Sequence, residues 1–213
     1  MARAFPHDSD LPAAPALPRS TRERIVAGAR RHFLAHGFRS VTMDDLAGEL
    51  GMSKKTLYAH FRSKRTLIEA VLRDKFRDIE TDLGRITADC GRDCLATLQD
   101  LLACIQRHTG EIQPPFVRDI RREAPDMFHL VETRRRQVIR RYFGKLFREG
   151  RRAGIIRKDI PAVLITEILL GATQAIMNPP KMAELGLTPK SGFSAIIAVI
   201  LHGVITEKGR ARA

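Results

Sequence analysis

Between positions 42 and 64 the chain gathers groups that bind anions: the amines of Lys54, Lys55 and Lys64, the phenol of Tyr58, the imidazole of His60, and the hydroxyls of Thr42, Ser53 and Thr56. Amines and hydroxyls at this density suit phosphate oxygens, and a lysine reaching a base edge prefers guanine O6 and N7. Elsewhere the chemistry is thinner. Cys90 and Cys94 stand four apart, as do Cys104 and His108, which puts each pair on one helical face and within reach of a zinc ion. No C-x-x-C pattern accompanies them, and cysteine commonly serves as a small buried hydrophobe. Neither a metal nor any other cofactor is therefore expected. The chain has no G-x-S-x-G elbow, no phosphate-cradling glycine loop after a strand, and no nucleophile with its base and orienting group. It reads as a binding protein and not an enzyme.

The anion-binding groups need rigid supports, and the same stretch supplies them. Thr42 is placed to N-cap a helix, with Asp45 completing a weak capping box and Val41 and Leu46 forming a hydrophobic staple. Gly51 suits the left-handed conformation that ends a helix. Ser53 then caps a second helix, stapled by Met52 and Leu57 and beginning at Lys54. On it Leu57 and Phe61 face inward, while Lys54, Lys55, Tyr58 and Ala59 face outward. Helix, glycine turn and basic second helix form the pattern of a helix-turn-helix, whose second helix enters the major groove of DNA. A solvated helical hairpin in an ordinary bundle has the same spacing. Lys54, Lys55 and Thr56, in the first turn, are best placed to meet base edges.

The residues themselves favour the first reading. Thr42, Leu46-Ala47, Leu50-Gly51-Met52-Ser53, Thr56-Leu57-Tyr58, His60-Phe61 and Ser63-Lys64 together resemble the DNA-binding signature of TetR-type transcriptional regulators. The resemblance is specific from about Ser20 to Leu83 and extends beyond that only in layout. It implies that Tyr58, His60 and Lys64 hold the DNA backbone and that Thr42 caps a helix and meets a phosphate. It also adds Ser53, and Met43, which sits where some relatives carry a base-reading residue; Asp44 beside it is acidic and unsuited to phosphate. Lys55 departs from the small residue or proline often found at its position, so no operator sequence carries over. The resemblance further implies a homodimer, a pocket for a small apolar or amphipathic effector, and repression as the commoner outcome.

Composition agrees with a polyanionic partner: 213 residues carry a formal charge of +13, with a pI near 10.5. Three cysteines are an odd number, which argues for reduced thiols and a cytoplasmic setting. The apolar run from Val163 to Met177 holds Thr166, Glu167 and Gln174 and falls short of the ~20 residues that cross a bilayer, so no membrane partner is expected. Residues 1–19, rich in Pro and Ala, read as a disordered tail.

The expected fold is all-α, with about nine helices: a helix-turn-helix domain over residues 20–66, a helical ligand-binding and dimerisation domain over 67–208, and a frayed tail over 209–213. Ser20 and Glu23 form a capping box opening the first helix, in which Ile25, Ala29 and Phe33 make the buried face. Ser63 caps a long helix that links the two domains. Further helices are expected over about 92–108, 116–123, 126–151, 161–177 and 189–208, with Pro179-Pro180 read as a break. The last two are apolar nearly all round. One neighbour could not cover them, so Ile165, Leu169, Phe193, Ile196, Ile197, Ile200, Leu201 and Val204 are expected at a dimer interface. Phe116, Met127, Phe128, Tyr142, Phe143, Gln174 and Met177 are candidates for the effector pocket. Arg30, Arg31 and the run Arg134-Arg135-Arg136 read as solvated faces, although an arginine turned inward would favour a ligand bearing a carboxylate. Two rival functions remain at this point: a metal-responsive regulator using Cys104 and His108, and a non-specific architectural DNA-binding protein.

Overall fold

The computed structural model describes residues 20–88 and 94–205, so the expected tails and Cys90 lie outside the described residues. Helix α1 runs Thr21–His36 and opens on the expected capping box: Glu23 N–H donates to Ser20 Oγ at 3.2 Å, and Ser20 N–H to Glu23 Oε2 at 2.9 Å. Helix α2, Met43–Glu49, repeats the device through Thr42 and Asp45. It ends where Gly51, at φ 62°, lets the Gly51 and Met52 amides turn back onto the Gly48 and Ala47 carbonyls. Helix α3, Lys54–His60, starts on Ser53. Helix α4, Lys64–Ile86, starts on Ser63.

The remaining helices are α5 Cys94–Gly110, α6 Pro114–Glu123, α7 Pro125–Val138, α8 Gly144–Arg152, α9 Ala162–Ile176, α10 Pro179–Glu184 and α11 Pro189–Val204. Two departures from expectation have local causes. The expected helix over 126–151 is interrupted by a five-residue π turn, Ile139–Phe143, joining α7 to α8. Pro179-Pro180 does not break the chain but begins α10, because proline is tolerated in a first turn whose N–H groups lack intrahelical partners. Asn178 caps this helix, accepting the Lys181 amide at 3.1 Å. No strand occurs among the described residues beyond an isolated bridge, Ile156 to Ile205.

Two apolar cores lie along α4. The first holds Ile25, Phe33, Leu46, Leu57, Phe61, Leu67 and Val71, and also takes in Phe116, Ile120 and Met127 from α6 and α7. The second holds Leu83, Leu101, Phe143, Phe147, Ile165, Leu169, Phe193 and Ile197. Helix α6 is wired to the end of α1: Gln113 N–H donates to Leu34 O and Arg39 N–H to Asp119 Oδ2, both at 2.9 Å. Gly37 has φ 80°, and a β-carbon there would collide with the Asp119 carboxylate, so glycine alone permits this approach.

Between the cores sits a polar knot. Lys75, buried on α4, donates to Glu111 Oε2 at 2.7 Å and to His108 Nδ1 at 3.1 Å, while His108 Nε2 meets Asp82 Oδ2 at 3.0 Å. Arg30 from α1 reaches Asp74, Asp78 and Glu111 at 3.1, 2.5 and 3.1 Å. Arg30 is thus no solvated side chain: carboxylates distant in sequence converge on it, an attraction that spacing along α1 cannot reveal.

An ammonium only donates, so His108 accepts at Nδ1 and donates Nε2–H to Asp82, a neutral imidazole. Burial and then the Lys75 charge hold its pKa below the ordinary 6.5. The hydrogen bond from His108 holds Asp82 below 3.8. Burial opposes ionisation of Glu111, but its contacts with Lys75 and Arg30 prevail and hold it below 4.5. All three groups bind protons more readily in the unfolded chain, so each contributes stability above its unfolded pKa that is lost on acidification. Urea midpoints are therefore expected to fall as pH drops below 6.5, through His108, and to fall further below about 4.5, through Glu111 and Asp82. His108→Gln should lack the first decline and keep the second. A midpoint flat from pH 6.5 downward would contradict this assignment.

Candidate nucleic-acid interface

Helix α3 has one fully buried side chain, Leu57, and Phe61 closes its C-terminal end at 3% exposure. Everything else on it faces out. Lys55, Thr56, Tyr58, Ala59 and His60 are exposed, and Tyr58 at 45% is unusually open for an aromatic ring. Among the described residues Lys55, Tyr58 and His60 have no ion-pair or hydrogen-bond partner, so their polar ends are directed to solvent. Ser53 caps the helix and shares a 2.9 Å contact with the Thr56 hydroxyl. The first turn thus presents backbone N–H groups flanked by amines.

Two expected contacts are altered by neighbours. Lys54 is exposed but rests 2.5 Å from Asp44 Oδ2 on α2, and this hydrogen bond raises its pKa. Lys54 therefore braces the two helices of the motif, leaving Lys55 as the unengaged amine of that turn. Met43 is 7% exposed and belongs to the core, so the structure removes it from the DNA-facing set. The position after the Thr42 cap turns inward, and a thioether is more stable there than in water.

Lys64, in the first turn of α4, is half-buried with Nζ 3.4 Å from the Arg39 carbonyl. Burial lowers its pKa, partly offset by Asp119 and Asp45. Thr42 is exposed, its hydroxyl accepting the Asp45 amide at 3.0 Å. At the far end of α3 the Arg22 guanidinium lies 5.0 Å from the centre of the Phe61 ring, adding a cation from α1.

The C-terminal helices enclose a cavity of about 170 Å³, lined mostly by apolar side chains from α4, α5, α6, α7 and α11. Of the expected lining residues, Phe116, Phe128, Phe143 and Met177 are on its wall. The other three are not. Met127 is buried in the first core, the Tyr142 hydroxyl donates to the Glu80 carbonyl at 3.0 Å, and Gln174 is exposed. Phe76, Ile79, Ile105, His108, Glu132, Arg135 and Phe193 line it as well. Their sequence signal was the inward stripe of each helix, which marks a core and not a hollow within it.

The residues expected at a dimer interface lie mostly inside the chain's own core. Ile165, Leu169, Phe193, Ile196, Ile197, Ile200 and Val204 lie within the core of a single chain, and Leu201 is half-buried against it. The large apolar side chains left open on these two helices are Val163, Leu164 and Ile168 on α9 and Val199 on α11. Each of these helices turns one apolar side into its own bundle and leaves apolar side chains open on the other.

Asp82, Cys104 and His108 bring ligand atoms within 4.8 Å of one another. The surroundings oppose a dication. Arg107 lies 2.8 Å from Asp82 Oδ2 and 3.7 Å from Cys104 Sγ, Lys75 stands on His108, and burial raises the Cys104 pKa, away from the thiolate a metal needs. The expected Cys90–Cys94 pairing lies outside the described residues.

Comparison with known proteins adds to this geometry. Residues 25–71 match the family model described as "Bacterial regulatory proteins, tetR family". The HTH-type transcriptional repressor KstR2 of Mycolicibacterium smegmatis is 26% identical over 205 residues, spanning 93% of this chain and 97% of that protein. Among solved structures, the ketosteroid transcriptional regulator KstR2 of Mycobacterium tuberculosis superposes with a TM-score of 0.57 at 22% identity, covering 89% of this chain and 97% of the other. A TetR-family transcriptional regulator from Agrobacterium tumefaciens gives a TM-score of 0.66 at 15% identity, covering 87% and 97%.

Proposed function

The chain belongs to the TetR family of bacterial regulatory proteins and is a DNA-binding transcriptional regulator; from that premise we propose that it acts in the cytoplasm as a homodimeric repressor of a palindromic operator, released by a small effector. The observation that carries this reading is the outward face of α3, with Lys55, Tyr58 and His60 open above a buried Leu57. Two such helices, set about 34 Å apart, would enter successive major grooves on one side of a duplex. Lys64, Thr42 and Tyr58 would fix register on phosphates, and Lys55 with Thr56 would read base edges. Repression follows simply from a bound dimer obstructing polymerase.

Pairing would use the exposed stripe of Val163, Leu164 and Ile168 on α9 together with Val199 on α11. A glutamate at Ile168 together with one at Val199 would bury like charges across a two-fold axis. That double variant should run as a monomer by light scattering and lose operator affinity; a dimer of unchanged mass would dismiss this face.

The cavity would take the effector, with α6 as the transmitting element, since it lines the cavity with Phe116 and Ile120 and is bonded to the end of α1. A ligand favouring one setting of α6 would bias the spacing of the two recognition helices.

The test begins with selection of bound sequences from a random DNA pool, followed by footprinting. Lys64→Ala is expected to weaken binding to all sequences alike and to reduce the slope of log K against log salt by about 2 for the dimer, about 0.9 per lost phosphate contact. Lys55→Ala should instead change which sequence is selected. Uniform weakening by both variants would remove Lys55 from base reading, and the absence of any footprint would indicate a non-specific DNA binder.

A further inference from the structure

We propose that the effector is an apolar monocarboxylic acid, its carboxylate held by Arg135 and its body filling the cavity; the proposal rests on the reading of that cavity as the effector site. Four polar side chains reach the wall: His108, Thr109, Glu132 and Arg135. The first two are engaged. His108 has both ring nitrogens occupied by Lys75 and Asp82, and the Thr109 hydroxyl donates to the Ile105 carbonyl at 2.8 Å. Any charge preference of the cavity must therefore come from the other pair, one turn apart on α7.

Arg135 and Glu132 bond to each other through one guanidinium nitrogen, Nη2, and one carboxylate oxygen. Their side chains keep only 25% and 19% of their exposure. A guanidinium carries five N–H donors in a planar fork, and among the described residues Glu132 is the single acceptor for Arg135. The donors not bonded to Glu132 remain available to a ligand anion at the cavity wall. Arg136, next along the helix, acts on Arg135 as a like charge, so the excess charge around the pair is positive. Burial works against the Arg135 cation, and a second anion would restore its balance. A carboxylate fits the fork with two parallel hydrogen bonds; a neutral amide cannot accept at both positions.

The remaining wall sets the body of the ligand. Phe76, Phe128, Phe143 and Phe193 offer ring faces and edges with no further donor or acceptor. An apolar cavity of about 150 Å³ holds benzene, so about 170 Å³ suits one aromatic ring or a medium-length alkyl chain.

Calorimetric titration of the full chain with phenylpropanoic and octanoic acids, their primary amides and the matching amines tests this. The acids are expected to bind about tenfold to a hundredfold more tightly than their amides. Arg135→Met should abolish that ratio, chiefly by weakening the acids, and Arg135→Lys should retain part of it. Equal binding of acid and amide to the unmodified chain overturns the carboxylate assignment and leaves the cavity reading intact. Preference for the amines overturns it in favour of Glu132 as the ligand group. If no compound binds, both the assignment and the reading of the cavity fall.

Discussion

Replacing Leu57 by alanine is expected to abolish specific DNA binding, a larger effect than removing any single side chain that would touch the duplex. Helix α3 has seven residues, far below the ~12 at which a helix becomes even marginally stable alone in water. Its conformation is therefore imposed by attachment, and among its own residues Leu57 alone is buried. Truncating a fully buried leucine costs about 2–5 kcal/mol, with the spread set by how far the surroundings collapse. That is enough to release the helix from the first core. Band shifts on a selected operator should show a loss of more than about a hundredfold, since each 1.4 kcal/mol is a factor of ten. Leu57→Met, which keeps volume and apolarity, should stay within about tenfold, a loss below about 1.5 kcal/mol. An alanine variant that still binds and footprints normally would mean that α3 is held by something other than its leucine.

The second large effect is expected at Phe143. This ring is fully buried, lies 6.3 Å from the Phe147 ring and 6.2 Å from the Phe193 ring, and forms part of the cavity wall. Phe143→Ala should destabilise the chain by about 3–5 kcal/mol through lost transfer and a residual void. For a chain of this size that lowers the melting temperature by roughly 6–20 °C. The same truncation enlarges the cavity, so an apolar compound too bulky for the unmodified chain should bind the variant and recover part of the loss. Differential scanning calorimetry with and without naphthalene-sized compounds measures both. A small loss without ligand rescue would show that the neighbouring rings close the gap.

What could be read from the sequence was whatever depends on near neighbours in the chain. The caps at Ser20, Thr42, Ser53 and Ser63 involve side chains and amides three residues apart, so residue identity almost specifies them. The outward set on α3 followed from Leu57 and Phe61 facing inward. What failed depends on distant neighbours. Met43 shares a helix start with Asp44, yet one is core and the other solvent. Arg30 and Arg135 carry the same spacing cues as truly solvated arginines; only the arrival of Asp74, Asp78 and Glu111 around the first, and of cavity walls around the second, separates them. For α9 and α11, periodicity established that both sides are apolar but not which side meets the chain's own bundle.

The π turn at Ile139–Phe143 bears on how this chain could change length. Removing one residue from a regular helix swings all that follows by about 100°, which would carry Leu146 and Phe147 out of register with their neighbours. A turn already one residue wider than the α pitch can lose that residue and close to ordinary winding. Arg140 and Arg141, both at the surface, mark the place within this segment where a single-codon deletion would leave the downstream helix facing as it does now.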